Sequence, residues 1–255
     1  MSNSSVPQIS WVTPQKLDDR MDAKPFQKHI LSRLEKVESC GIPTKKICSP
    51  EVSVFLSRGV NGATNEEQKT RLYKSRHIRT GFIEADSAYL SDEKADRIGK
   101  KKLKKGDALL TSTGLGTIGR AALFTSISSA TVDNHISIVR PNESFNSGYL
   151  VAYLNSAYGQ AWSDFGTTGS TGQLELSKDK VGSIRLPVPD RAIQDYIGAK
   201  IEKSQRLLDL AKALIEEAKE DAEALIEGRL DSDAILSGKV KAISWEDIEK
   251  ELEGI

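Results

Sequence analysis

A chain of 255 residues with 36 Lys and Arg against 36 Asp and Glu has room for one large or two modest domains and no formal net charge. Two cysteines and three widely spaced histidines exclude a disulfide framework and a Cys/His metal set. No apolar run reaches membrane length and the Met-Ser-Asn-Ser-Ser start lacks a basic-then-apolar leader, so the expected setting is soluble and cytoplasmic.

In chain order, Pro25 to Ser39 places Phe26, Ile30, Leu31, Leu34 and Val37 on one helical stripe, which Gly41, Pro43 and Pro50 bring to an end. Residues 50–145 read as strands separated by Gly, Asn and Asp turns: Val52–Phe55, Arg71–Tyr73, His77–Arg79, Asp107–Leu110, Arg120–Phe124 and His135–Arg140. Gly148 to Trp162, with Tyr149, Leu150, Tyr153 and Leu154, predicts a helix. The polar loop Gly166-Thr-Thr-Gly-Ser-Thr-Gly-Gln173 follows, then the β-like run Val181-Gly-Ser-Ile-Arg-Leu-Pro-Val-Pro189.

At that point the chain changes character. From Ile197 onward, apolar and small residues fall at Ile201, Ser204, Leu208, Ala211, Ile215, Ala218, Ala222 and Leu225, alternating steps of four and three as in a coiled-coil seam. A helix over 191–227 would be roughly 55 Å long, more than a small domain can cover, so the stripe predicts a helical partner. Gly198 is the one glycine inside it. Gly228 and Gly238 bracket a loose segment, and Ser244-Trp-Glu-Asp247 fits a capping box that opens a short helix with Trp245, Ile248 and Leu252 on one face.

Charge divides at the same place. Residues 191–255 carry ten Lys and Arg against sixteen Asp and Glu, which leaves 26 basic and 20 acidic side chains in residues 1–190. A basic module on an acidic helix suits a polyanion at one end and a protein partner at the other, although ordinary surface variation produces similar splits.

Three motifs bear on chemistry. Gly114-Leu-Gly-Thr-Ile-Gly119, with Asp133 further on, matches the dinucleotide fingerprint formally. The fingerprint needs a helix after the glycines, and Arg120–Phe124 runs instead into the Ser- and β-branched stretch Thr125–Thr131, so a tight turn is the better reading. Arg71, Lys74, Arg76, His77 and Arg79 interleave with apolar residues, and strand alternation would gather some of these cations on one face. That strand and the run Lys100-Lys-Lys-Leu-Lys-Lys105 are either phosphate contacts or a solvated surface. Loop 166–173 is rich in short hydrogen-bonding groups that suit a DNA groove, with a surface linker as the rival reading. Asn134 and His135 lack a nucleophile, a paired acid or a metal partner, so a contact role is expected of them rather than catalysis.

Gly106-Asp-Ala-Leu-Leu-Thr-Ser-Thr-Gly114 with Gly116-Thr-Ile-Gly119 resembles the central segment of target-recognition domains in the DNA specificity subunits of type I restriction-modification systems. Ile184-Arg-Leu-Pro-Val-Pro189 with Gln194 and Ile197 is similar to the junction where that family passes from a strand into its conserved helix, with Ile193 standing where an acidic residue is usual. Arg20-Met-Asp-Ala23 and Ala224-Leu-Ile-Glu-Gly228 fit as well.

The resemblance implies an α+β fold: a mixed or antiparallel β-sheet recognition domain with flanking helices over 1–190, one long coiled-coil helix over 191–228, and a tail with a short helix over 229–255. It implies no catalytic centre and no cofactor. The implied partners are double-stranded DNA, DNA methylation subunits and, through them, a restriction subunit.

Family members carry two recognition domains and two such helices; this chain has one of each. A homodimer through the long helix, at Ile197, Ile201, Leu208, Ile215 and Leu225, would then read a gapped palindromic site. Within that reading the expected DNA contacts are Arg76, His77, Arg79, Thr113, Arg120, Asn134, Ser170, Thr171 and Gln173, with Lys102 and Lys104 as phosphate neighbours. The alternatives are a half that pairs with a different half, a truncated relic, a stand-alone coiled-coil dimeric DNA-binding regulator, and an enzyme that uses the glycine loop for a cofactor.

Overall fold

The computed structural model describes residues 23–64, 66, 68–84, 88–169 and 174–237. Arg20–Asp22 of the front motif, Ser170, Thr171 and Gln173 of the polar loop, and the expected helix around Trp245, Ile248 and Leu252 lie outside these residues.

A 3-10 turn (Lys24–Phe26) leads into α1 (Lys28–Glu38). Next come β1 (Thr44–Lys46), β2 (Ser53–Arg58), β3 (Ala63–Thr64) and β4 (Thr70–Tyr73), then β5 (Tyr89–Leu90), the single turn α2 (Asp92–Ala95) and β6 (Ala108–Thr111). They are followed by β7 (Ala121–Leu123), β8 (Ala130–Val132), β9 (Ile136–Pro141), α3 (Ser147–Asn155), α4 (Ala157–Gly166), α5 (Lys178–Ser183) and β10 (Arg185–Pro187). The long helix α6 (Arg191–Ile226) and the short α7 (Ser232–Leu236) complete the described chain. This is a mixed α+β fold with largely antiparallel sheets and one long helix.

One four-stranded sheet runs in the order β2-β9-β6-β7, antiparallel throughout, and a second runs β3-β5-β4-β8, with β4 and β8 parallel. Strand alternation divides the core between two layers. Ala108, Leu110, Ala121, Leu123 and Val139 face one cluster with Leu150, Leu154, Val181 and Leu186. Leu109, Ala122, Ile136 and Ile138 face the other, with Tyr73, Phe124 and Val132. Strands β6, β7 and most of β9 are thus buried on both faces, which is why they read as largely apolar runs, while β2 at the sheet edge is only partly buried. A smaller cluster joins α1 to α4 through Ile30, Leu34 and Ala161, with the Phe26 and Phe165 rings edge to face at 6.0 Å.

Three local expectations are corrected. The helix expected over 148–162 is two helices. Ser156 accepts the Gly159 N–H and caps α4, while the Asn155 side chain bonds both the N–H and the carbonyl of Ala121 on the edge strand β7. The expected strand His77–Arg79 begins instead as a 3-10 turn (Ser75–His77), because Lys74 donates its N–H to His77 Nδ1 and wraps the chain around its own imidazole. Ser177 caps α5, so the β-like run from Val181 becomes helix first and strand only at Arg185.

The chain forms two compact units, one ending at Glu202 and the other beginning at Lys203. In the first, the opening turns of α6 meet α3 backbone to backbone. A Cβ on Gly198 would lie 2.0 Å from Asn146 Oδ1, and one on Gly148 would lie 2.6 Å from the Gly198 carbonyl oxygen. Gln194 locks the junction, accepting the Asn146 N–H at 3.0 Å and donating to the Pro189 carbonyl at 2.9 Å. In the second unit α6 continues to Ile226 and stops at Gly228, whose φ of 69° lets the Arg229 N–H return to the Ala224 carbonyl at 2.8 Å.

Candidate nucleic-acid interface

The parallel strands β4 and β8 end side by side, Tyr73 opposite Val132, and both then turn. Lys74–His77 forms one turn and Asp133–His135 the other, joined where the Asp133 N–H donates to the Tyr73 carbonyl at 2.9 Å. The Asp133 carboxylate accepts the His135 N–H at 3.0 Å, which holds Asn134 at an exposed tip. Burial raises the Asp133 pKa; the His135 N–H and charge, the Ser75 N–H and the His77 charge oppose the rise. The end of β6 joins the same place, where the Ser112 N–H donates to the His135 carbonyl at 2.8 Å and the Thr113 hydroxyl bonds His135 Nδ1.

Two further loops close on this end. The glycine turn after Thr113 is braced by its own bonds: the Arg120 guanidinium donates to the Gly116 carbonyl at 2.7 Å, and the Thr111 hydroxyl donates to the Thr117 carbonyl. A strand follows it, as a tight turn requires and a dinucleotide fingerprint does not. The polar loop is cinched at its base, where Thr168 and Glu175 exchange both backbone hydrogen bonds at 2.8 Å and the Leu176 N–H donates to the Ser112 carbonyl. Arg58, at the end of β2, donates to Glu175 Oε1 at 2.9 Å and to the Leu176 carbonyl at 2.6 Å, and it reaches the Asn134 carbonyl at 3.5 Å. Burial pulls its pKa down and the Glu175 charge partly restores it. One guanidinium therefore ties the polar loop to the Asn134 turn.

The structure thus brings together Thr113, Asn134 and the base of the loop that carries Ser170, Thr171 and Gln173, with exposed Arg76 on the neighbouring turn. His77 is nearby but only 3% exposed, its ring edge-on to Tyr73 at 6.4 Å. Arg79 is paired with Glu84 at 2.7 Å on a hairpin that touches β7 at Gly81, and Arg120 is committed to the glycine turn.

Lys102 and Lys104 are exposed beyond the opposite end of β6 from Thr113. There Arg140 donates to the Lys102 carbonyl and pairs with Asp107, whose carboxylate also accepts the Lys104 N–H. Of the helix positions, Ile197 and Ile201 pack against the first unit's own core, Leu208 is partly buried, and Ile215 and Leu225 are 55% and 58% exposed.

Sequence reasoning missed Arg58 and Glu175, and marked Asp133 only as the acidic residue of the formal dinucleotide match. The only signal for Arg58 was a cation closing an apolar run just before Gly59, and the expected strand stopped at Phe55. Among the described residues, no group of three or more His, Cys, Asp or Glu is placed to hold a metal, and no helix is long and apolar enough to cross a membrane.

Fold and rim together describe a β-sheet domain that gathers hydroxyl, amide, imidazole and guanidinium groups at one end and continues into a long helix. The type I restriction modification DNA specificity domain matches residues 60–220, and the chain belongs to that family. Among solved structures, the type I restriction-modification S subunit from M. genitalium is 15% identical with a TM-score of 0.52, covering 80% of this chain and 50% of that one. The HsdS subunit from Thermoanaerobacter tengcongensis is 14% identical with a TM-score of 0.46, covering 72% and 44%. The chain spans about half the length of the solved chains it matches. No curated protein sequence matches it.

Proposed function

We propose that this chain reads DNA sequence as the specificity component of a type I restriction-modification complex. In this reading residues 1–190 recognise the duplex, residues 191–228 assemble the complex, and residues 229–255 form a tail. The chain carries no catalytic centre of its own and directs methylation subunits, and through them a restriction subunit, to the site. The observation that carries the reading is the family match over residues 60–220, which takes in every described rim segment except Arg58 and most of α6.

Two copies paired through α6 would present two identical domains and read a gapped palindrome. Exposed Leu207, Ile215 and Leu225 on that helix support such pairing, since an apolar stripe in water calls for a covering surface. Sedimentation equilibrium of the purified chain at micromolar concentration tests the pairing: a dimer is expected, and a strict monomer overturns it. Selection from a randomised duplex pool, by the chain together with methylation subunits, tests the reading of sequence. Enrichment of a defined two-part site supports it, and recovery of an unbiased pool overturns it.

A further inference from the structure

Beside the rim lies a cavity of about 250 Å3 lined by Val60, Asn61, Lys94, Arg97, Ile98 and Lys101. Its polar lining is three cations and one amide, with no carboxylate, above an apolar floor of Val60 and Ile98. The cations converge from separate turns. Lys94 comes from α2 and Arg97 from the residues after it, while Lys101 closes the 3-10 turn Gly99–Lys101 and is fixed where its Nζ donates to the Gly59 carbonyl at 3.0 Å.

The ammonium of Lys94 occupies space that only glycine leaves. Gly62 has a φ of 112°, and a Cβ there would sit 2.1 Å from Lys94 Nζ. Among the described residues Lys94 has no anionic partner. Arg97 meets Glu93 at 3.3 Å with both side chains about four-fifths exposed, a pair that water screens. Lys94 and Lys101, over a low-dielectric floor in a cavity with no carboxylate in its lining, attract an anion.

The position relates this cavity to the rim. Val60 bridges to Asp133, its N–H donating to the Val132 carbonyl at 2.9 Å. That approach depends on Gly59, where a Cβ would strike the Val132 and Asp133 carbonyl oxygens at 2.1 and 2.2 Å. The cavity is therefore fastened to the turn that presents Asn134, which sets its cations next to the candidate DNA-facing rim. We infer that the cavity is a phosphate site that takes a backbone phosphate of DNA beside the bases read at the rim. The DNA source of the phosphate rests on the proposed function; the anion chemistry does not.

The test is the salt dependence of duplex binding by the full chain together with methylation subunits, measured by fluorescence anisotropy. Lys94→Gln and Arg97→Gln each remove one surface cation, and Lys28→Gln on α1 serves as control. Loss of one phosphate contact lowers the slope of log K against log salt by about 1, and by counterion release weakens binding about eightfold at 0.1 M salt. The loss should be equal on selected and unrelated duplexes, with Lys28→Gln unchanged.

Wild-type slopes in both cavity variants overturn the inference and leave sequence recognition standing; a wild-type complex that binds no duplex overturns both. Titration with inorganic phosphate separates the sources. Competition between inorganic phosphate and duplex in the wild type, lost in the variants, supports a shared site. Saturable phosphate binding that the variants abolish without any change in duplex binding overturns the assignment to DNA.

Discussion

Arg58→Met removes the guanidinium that ties the polar loop to the Asn134 turn while keeping an unbranched apolar stem. The ion pair with Glu175 contributes little, at most about 1 kcal/mol, because that carboxylate is 57% exposed. The bond to the Leu176 carbonyl at 2.6 Å is charge-assisted and partly shielded from water, a class that contributes about 1.5–3 kcal/mol. Against these stands the desolvation of a cation whose pKa burial pulls down. The balance is about 1.5–3 kcal/mol, or roughly a ten- to hundredfold rise in local opening of the loop base.

Hydrogen exchange measures that opening at the Glu175 and Leu176 amides, which bond the Thr168 and Ser112 carbonyls. Their exchange should accelerate by that factor, while Leu109 and Ile138 in the sheet core keep their protection. Selective DNA affinity should fall and binding to unrelated duplex should hold. Arg58→Lys, which keeps the cation but brings one nitrogen where the guanidinium brings two to these partners, should fall between. Unchanged exchange at Glu175 and Leu176, or equal acceleration throughout the domain, would refute the tether.

Arg140→Met leaves Asp107 buried, with 1% of its side chain exposed, and with only the Lys104 N–H among its present bonds; urea denaturation should show a loss of about 3–5 kcal/mol, and a loss below about 1 kcal/mol would contradict the burial argument. Gly198→Ala should destabilise by about 1–2 kcal/mol because the new methyl meets Asn146, whereas an uncrowded helical glycine replaced by alanine gains about 1 kcal/mol, so the sign of the change decides. Tyr149 and Tyr153 donate to the Pro187 and Arg185 carbonyls, and burial raises both pKa values, that of Tyr149 to about 12. The folded state therefore holds these protons more tightly than the unfolded chain, so their stabilisation is complete below about pH 10 and is lost as pH rises toward 12. Tyrosinate absorbance should show two of the six tyrosines ionising only as the fold is lost, and early titration of both would count against their burial.

Legibility followed the range over which each interaction acts. The long helix was readable because its periodicity is local, and the β6, β7 and β9 strands because burial on both faces makes them mostly apolar. Thr113 and Asn134 stood out as polar residues at turns beside apolar strands. Arg58 did not, because its carboxylate partner lies 117 positions away and nothing nearby marks the pair. Alternation failed at His77 because the imidazole caps its own turn, a preference specific to one side chain rather than to a pattern. Period marks the stripe on α6 as apolar but cannot say what covers it. Ile197 and Ile201 belong to the first unit's own core, and Gly198 between them marks the crossing with α3. Gln194, noticed through the family resemblance, turns out to bond both sides of that crossing.

The central claim is that this chain chooses the DNA sequence at which methylation subunits act, and that it does so as a symmetric pair. Mapping methylated positions across a genome, in cells expressing the methylation subunits with and without this chain, tests both parts at once. The account predicts one motif that depends on the chain, built of two inverted identical halves around a fixed gap, and altered in sequence preference by Arg58→Met. A map that does not change when the chain is removed would contradict its role in recognition, and a chain-dependent motif with unlike halves would contradict the symmetric pair.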